Sequence, residues 1–218
     1  MSPRHHPGEE LLIAHAAGTL GAGPSLVIAI HVEGCAICRA LVAALDVAGG
    51  VLLEQLPPAP LSSLALARAM AAIERPLPPP GLPDSNTVSR PVAGGIALPA
   101  ALRGKPIGRW RWLAPGMRWS KLAMPGHPEA NVVLMRGRAT ALLPGHGHRG
   151  SEFTQVLAGG IVDGGGRYEA GDMFVADDAT NHHLRVTDEG ECLCIVAIEG
   201  NVRMNSLLGR IVQPLVGP

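Results

Sequence analysis

Net charge and aromatic side chains are scarce in this chain of 218 residues. Its 18 basic and 18 acidic residues cancel, and it has only three Trp, two Phe and one Tyr. Proteins that bind nucleic acids usually carry a strongly basic balance, so the zero net charge predicts no nucleic-acid partner. A hydrophobic fraction of 47% is nevertheless ample for a buried core, which excludes a globally disordered chain.

Signals for export and for membrane insertion are also missing. The first residues lead to Glu9 and Glu10 instead of an apolar run, so we expect no signal peptide. The longest apolar run that we find, at residues 26–30, is far shorter than the roughly 18 residues of a membrane span. The chain has four cysteines and no export signal. We therefore expect a cytoplasmic protein with reduced thiols and no membrane partner.

Proline and glycine, in contrast, are abundant, with 20 and 28 residues. Residues 76–83 hold five of the prolines. Such a run excludes a helix interior or a central strand and predicts an extended, semi-rigid spacer. We place this linker at residues 76–90, where it divides the chain into a first domain at residues 1–75 and a second at residues 91–218.

The part before the linker is rich in Ala and Leu and has helical periodicity. The pattern predicts four short helices, at residues 8–20, 24–33, 35–47 and 61–73. We expect the glycine pair Gly49-Gly50 to end the third helix. Four short helices form a small core, which leaves this domain little independent stability.

Beyond the linker, short apolar runs alternate with glycine-rich turns. The runs lie at residues 131–135, 153–157, 172–175 and 192–198, and Asp163-Gly164 occupies a hairpin-turn position. This pattern is typical of an antiparallel β-sandwich of the jelly-roll type. The predicted fold class is therefore a multi-domain α and β chain, with a small helical domain before the β-sandwich.

His31, Cys35 and Cys38 form an H-x3-C-x2-C pattern. On helical turns these offsets place the three side chains on one face, and a helix N-terminus favours the thiolate form that binds zinc. Tetrahedral zinc takes four ligands, and a metal would stabilise so small a domain. The nearby candidates for the fourth ligand are His5, His6 and His15. The alternative interpretation is that both cysteines are ordinary core residues and that His31 is solvated.

Three stretches of the first domain resemble the zinc-binding anti-sigma domain of ChrR-type proteins. They are Arg4-His5-His6, Ala16-Ala17-Gly18-Thr19-Leu20 and His31-x3-Cys35-x2-Cys38-Arg39-Ala40. The resemblance implies a helical domain that clamps an extracytoplasmic-function sigma factor, followed by a C-terminal cupin domain. It also implies a zinc ion held by His6, His31, Cys35 and Cys38. His5 stays open as an alternative to His6, because the two are adjacent.

A second group of possible ligands lies in the β-rich part. His146, His148 and Glu152, with Gly159 seven residues later, match the cupin pattern H-x-H-x3-E-x6-G. Alternation along a strand places His146 and His148 on one face, pointing into a barrel. Glu152 can then join them from the neighbouring strand.

Gly171 and His182, eleven residues apart, match the second cupin motif, and the spacing favours His182 over His183. Three imidazoles and one carboxylate suit a divalent metal such as Zn, Mn, Fe or Ni. The predicted ligands of this cupin metal are His146, His148, Glu152 and His182.

The sequence departs from both cupin motifs. Thr140 stands where the first motif has its leading Gly, and Asp177, Ala179 and Val186 stand where Pro, Gly and Asn are usual in the second. The alternative to a metal site is a surface loop rich in His.

Two weaker patterns remain. Cys192 and Cys194 lie in an apolar strand-like run, so both thiols should face inward as core residues; the alternative is an oxidation-sensitive pair near the cupin metal. Residues 103–121 interleave basic residues with Trp110, Trp112 and Trp119. We expect the Trp side chains in the core and the basic ones in solvent, in preference to a surface for single-stranded nucleic acid.

The order of the two clusters resembles ChrR-type proteins over nearly the whole chain. The resemblance implies an anti-sigma factor that binds and inhibits an extracytoplasmic-function sigma factor. It further implies release of the sigma factor on oxidative stress, from singlet oxygen or peroxide, sensed through the metal-binding cupin. The alternative is a metal-dependent cupin enzyme such as a dioxygenase. We expect no enzyme, because a dioxygenase needs no zinc-bound helical unit on a spacer.

Overall fold

The computed structural model describes residues 2–75, 96, 98–143 and 145–204, without the side chains of residues 148 and 201–204. The linker predicted at residues 76–90 lies outside the described residues. The limits of the two predicted domains therefore stay a prediction.

Residues 2–75, the described N-terminal part, form four α-helices, as predicted. They are α1 (Glu9–Ala16), α2 (Ala22–Gly34), α3 (Ala36–Glu54) and α4 (Ala65–Ile73). α1 and α2 both pack against α3. Cys35 separates α2 from α3 with an extended backbone, at φ −113° and ψ 113°, so the chain changes direction at this residue.

The predicted end of the third helix at Gly49-Gly50 is wrong, because α3 continues to Glu54. Neither glycine has a positive φ, so both follow the helical path. A glycine inside a helix costs only about 1 kcal/mol relative to Ala. The good helix formers on either side of the pair outweigh that cost.

This extension makes α3 the one helix in the described part of the chain that is long and apolar enough to cross a membrane, by length and composition only. The expectation that no segment reaches such a length is therefore wrong. The 19 residues of α3 are mostly exposed, although the helix contributes Cys38 to the interior. Exposed apolar side chains along a helix of this length are typical of a surface that another protein covers.

Ten β-strands follow in the described residues after position 98. They are β1 (Arg111–Ala114), β2 (Met117–Lys121), β3 (Asn131–Gly137), β4 (His146–Ala158), β5 (Gly160–Asp163), β6 (Gly166–Glu169), β7 (Met173–Ala176), β8 (Asn181–His182), β9 (Arg185–Val186) and β10 (Cys192–Met204). All pairs are antiparallel. The larger sheet has the order β1-β2-β3-β10-β4-β7, with β8 beside β4, and the smaller has β6-β5-β9. The predicted antiparallel β-sandwich is confirmed, and Asp163 and Gly166 flank the predicted hairpin turn.

The larger sheet has two apolar faces, because alternate side chains of its strands point to opposite sides. The inner face carries Val133, Val156 and Val196, which form one core with Ile161 and Val186 of the smaller sheet. This core is the interior of the sandwich.

The outer face of the same sheet contacts α2. Val132, Phe153 and Ala197 lie in one buried cluster with Ile28 of this helix. At Gly23 an added Cβ would lie 3.3 Å from side-chain carbons of Val132 and Ala197. The helix therefore lies directly on the sheet, and the helices and the sandwich share a core.

The three Trp side chains do not all enter the core. Trp119 on β2 is buried, and Trp110 packs at the edge of the shared core. Trp112 is 64% exposed, so its predicted burial is wrong. It lies on β1, an edge strand with a single neighbour, and only Ala114 of that strand is buried.

Candidate functional site

The structure brings His6, His31, Cys35 and Cys38 together, with one ligand atom of each residue within 4.8 Å of all the others. His6 comes from the segment before α1, and His31 from the last turn of α2. Cys35 occupies the break between the two helices, and Cys38 lies in the first turn of α3. The three cluster residues after His6 are almost completely buried.

The distances within this N-terminal cluster fit a tetrahedral ion of the size of zinc. His6 Nδ1 lies 3.3 Å from His31 Nε2 and 3.4 Å from the Sγ atoms of both Cys35 and Cys38. Zinc binds nitrogen at about 2.0–2.1 Å and sulfur at about 2.3 Å. Tetrahedral angles then give separations of about 3.4 Å between nitrogens and about 3.6 Å between nitrogen and sulfur.

Burial shifts the pKa values of two residues of this cluster, His31 and Cys38, in the absence of a metal. It lowers the pKa of His31, although a hydrogen bond to Gln155 acts in the opposite direction. The imidazole is thereby kept in the neutral form that binds metals. Burial, with a hydrogen bond to Cys35, raises the pKa of the Cys38 thiol to about 12. The expectation that the helix N-terminus favours the thiolate is therefore wrong for the metal-free protein, and a metal must displace the proton.

The other two histidines considered for this cluster lie elsewhere. The His5 ring faces Tyr168, with centroids 4.6 Å apart, and its Nδ1 is 3.2 Å from Oδ2 of Asp172. His15 Nδ1 is 2.9 Å from Oγ of Ser25. Of the three candidates, the structure brings only His6 to the cluster.

Two residues of the sandwich support the N-terminal cluster. Gln155 on β4 accepts a hydrogen bond at its Oε1 from His31 Nδ1, at 3.1 Å. Asp172 accepts hydrogen bonds at its Oδ1 from the backbone N–H groups of Arg4 and His5, at 2.6 and 3.0 Å. Sequence reasoning missed both residues, which lie 124 and more positions away from the groups they contact.

A second cluster, inside the sandwich, consists of His146, Glu152 and His182, all buried. His146 lies opposite His182 in the pairing of β4 with β8, and their Nε2 atoms are 3.1 Å apart. Glu152 Oε2 is 3.9 Å from His146 Nε2. The expectation that Glu152 comes from the neighbouring strand is wrong, because β4 continues through it and carries both residues. The described ligand atoms again lie within 4.8 Å of one another, and two imidazoles with a carboxylate suit a divalent metal.

The two remaining histidines of this region are His148 and His183. The backbone of His148 is part of β4, whereas its side chain lies outside the described residues. His183 is exposed, and its ring lies against Gly145. Of the adjacent pair that the spacing argument compared, the structure therefore brings His182, and not His183, into the cluster.

Two neighbouring side chains orient the ligands of the cupin cluster. Asp163 Oδ2 lies 3.0 Å from His182 Nδ1, so this nitrogen donates and leaves Nε2 to face the cluster. Thr154 donates a hydrogen bond from Oγ1 to Oε1 of Glu152, at 3.1 Å. Asp163 was read from the sequence only as a turn residue, since its contact depends on how the smaller sheet packs.

Thr140 explains how the first cupin motif tolerates the loss of its glycine. Its φ is 62°, a left-handed conformation that is rare for a β-branched residue. Its N–H still donates to the carbonyl of Thr187, at 3.2 Å. The turn is thus retained with a residue that is poorly suited to it.

Cys192 and Cys194 face inward, as predicted. Both are buried, with Sγ atoms 3.6 Å apart, and both are free thiols. The hydrogen bond with Cys192, together with burial, raises the pKa of Cys194, and the charge of Glu152 adds to this effect. Cys194 therefore stays protonated inside the core.

A large apolar surface covers the C-terminal half of α3, the following loop and α4. Its members are each at least half exposed: Val47, Val51, Leu52, Leu53, Leu56, Leu61, Leu64, Leu66, Met70 and Ile73. On α4 the residues Leu66, Met70 and Ile73 follow the i, i+4, i+7 spacing of one helical face, and no residue of this helix is buried. Exposed apolar side chains grouped in this way mark sites of protein–protein contact.

The fold and the two clusters define a cupin protein with an N-terminal helical unit, in which four His and Cys side chains are arranged as a possible metal site. The family described as the ChrR cupin-like domain matches residues 108–200. The anti-sigma-E factor ChrR of Cereibacter sphaeroides is 38% identical over 217 residues, which are 98% of this chain and 98% of that protein. The chain therefore belongs to the ChrR family of anti-sigma factors.

A solved structure agrees with this assignment. The crystal structure of Rhodobacter sphaeroides SigE in complex with the anti-sigma ChrR matches with a TM-score of 0.73 and 37% identity. The match covers 90% of this chain and 99% of that chain. These relatives are regulators, which supports the non-enzymatic interpretation over the dioxygenase.

Proposed function

We propose that this chain binds an extracytoplasmic-function sigma factor and inhibits it. The observation that carries the proposal is the exposed apolar surface of α3 and α4, which is too large for a helical unit without a partner. Amphipathic helices that meet the apolar surface of another protein are a common mode of recognition. The ChrR relative in the solved complex is bound to SigE, which fits a partner of the same class.

The N-terminal cluster would hold one zinc ion through His6, His31, Cys35 and Cys38. The ion would join the segment before α1, the end of α2 and the start of α3, which meet at this point. Its role would be structural, because all four ligands are protein side chains and leave no open coordination position. The helices that present the apolar surface would thereby keep their arrangement.

The sandwich would bind a second divalent metal through His146, His148, Glu152 and His182, and would sense oxidative stress. Cys192 and Cys194 are oxidisable, buried thiols, and the charge of Glu152 acts on Cys194, which supports a sensing role for this part of the sandwich. Oxidation of these thiols would be followed by release of the sigma factor. We assign the sensing domain to residues 91–218, the helical domain to residues 1–75 and the linker to residues 76–90, in a cytoplasmic protein.

In vitro transcription tests the inhibition and the sensing separately. The purified chain should block transcription that depends on the sigma factor at an equimolar ratio. Exposure to singlet oxygen or an organic peroxide should restore transcription with the wild-type chain but not with a His146→Ala variant. A chain that never inhibits, yet consumes oxygen with a diketone or flavonoid, would instead be the cupin enzyme.

A further inference from the structure

The sandwich contributes directly to the surroundings of the N-terminal cluster. We propose that Gln155 and Asp172 are positioning residues of the zinc site, so that contact with the sheet sets how tightly the zinc ion is held. This inference depends on the proposed zinc occupancy of the N-terminal cluster. It concerns two residues that are not themselves ligands.

Gln155 selects the tautomer of His31. Its side chain is 3% exposed, and its Nε2 donates to the carbonyl of Val156 at 3.2 Å, which turns Oε1 towards the imidazole. An amide oxygen can only accept, so Nδ1 of His31 must carry the proton in their 3.1 Å contact. The lone pair of Nε2 is then left for the metal, and this atom is the one that faces His6.

Asp172 fixes the segment that carries His6. Besides accepting from the N–H groups of Arg4 and His5, this buried carboxylate accepts from the N–H of Glu169 at 2.9 Å. The N–H of Met173 donates to the carbonyl of His5 at 3.1 Å. The residue before His6 is therefore held to the sandwich by its N–H and by its carbonyl.

Two of the four proposed zinc ligands thus take their position from the sandwich. Outer-sphere partners of this kind orient the ligand, and their loss costs about 10- to 100-fold in metal affinity. The same strand β4 carries Glu152 on its inner face and Gln155 on its outer face. One strand therefore contributes a ligand to the cupin cluster and a support to the N-terminal cluster.

Variants of the full-length protein can separate positioning from packing. Gln155→Leu removes the acceptor at similar volume, whereas Gln155→Glu retains an acceptor oxygen. Ser120→Ala on β2 is the control, because this buried side chain of the same sheet donates to the carbonyl of Gly108. Asp172→Ala tests the second support independently, should a Gln155 variant fail to fold.

Cobalt(II) is the probe, since its thiolate charge-transfer absorption reports only the cysteine-containing site. Competition between zinc and cobalt, followed by release to a chelator, then gives the affinity of that site. We expect Gln155→Leu and Asp172→Ala to weaken zinc binding by about 10- to 100-fold. Gln155→Glu and Ser120→Ala should stay within about threefold of the wild type. The imidazole 15N shifts of His31 should show a protonated Nδ1 in the wild type and in Gln155→Glu, which both have the acceptor oxygen. Gln155→Leu, which lacks it, should not show this signature.

Each other result overturns the inference. Equal affinities for the wild type, Gln155→Leu and Asp172→Ala would leave the zinc site intact but remove the positioning role. Equal losses in Gln155→Glu and Gln155→Leu would mean that Gln155 acts by packing. A wild type without a cobalt thiolate band would refute the proposed zinc site itself, and the inference with it.

Discussion

The apolar face of α4 offers a direct test of partner binding. We consider the double variant Leu66→Ser/Ile73→Ser, which makes both ends of this face polar. The two side chains are 75% and 76% exposed, so nearly all of their surface is free to be buried by a partner. No residue of α4 is buried within the chain, and the fold should therefore be unaffected.

The size of the effect follows from that exposure. Complete burial of a Leu or Ile side chain stabilises by about 1.5–3 kcal/mol. Three quarters of this value is about 1–2 kcal/mol for each residue, or about 2–4 kcal/mol for the pair. Since 1.4 kcal/mol corresponds to a factor of ten, the sigma factor should bind about 30- to 1000-fold more weakly.

Isothermal titration calorimetry against the purified sigma factor measures this change. Arg68→Ser is the matched control, because 100° per residue places Arg68 on the opposite side of α4 from Leu66. The control should bind as the wild type does, and all three proteins should have the same zinc content and Tm. A double variant that binds within threefold of the wild type would refute the assignment of α4 to the interface.

Three further predictions concern the two clusters and the fold. Thr140→Gly should raise the free energy of unfolding by about 1 kcal/mol in a urea titration, because glycine relieves the left-handed strain; a lower value would contradict this. Asp163→Asn, which weakens the orientation of His182, should lower the affinity for the cupin metal by about 10-fold in a chelator competition, and an unchanged affinity would refute that role. Because the pKa of Cys38 is raised on folding, the metal-free protein should lose stability as pH rises from about 9 to about 12. Thermal unfolding should show this loss in the wild type and less of it in Cys38→Ala, and equal slopes would contradict the assignment.

Most residues of both clusters could be predicted from the sequence, because they fall in short patterns with regular spacing. The spacing of His31, Cys35 and Cys38 reflects one helix junction, and that of His146 and Glu152 reflects alternation along one strand. Choosing His6 among three nearby histidines required the family resemblance. Periodicity alone leaves that choice open.

The supporting residues could not be predicted in this way. Gln155, Asp172 and Asp163 act through contacts made only when distant segments pack, so no local spacing marks them. A glycine pair predicts the end of a helix, whereas α3 continues through Gly49-Gly50 because the cost of the pair is small against the helix as a whole. Alternation predicts that Trp112 lies inside, because it does not reveal that β1 is an edge strand.

Co-purification with the sigma factor tests the central claim most directly. The chain and its candidate partner would be co-expressed, separated by size-exclusion chromatography and analysed for metal, with Cys38→Ala in parallel. We predict a one-to-one complex that contains zinc, and the loss of both the complex and one equivalent of zinc in the variant. A wild-type chain that elutes alone, or a variant that still binds the sigma factor without that zinc, would contradict the account.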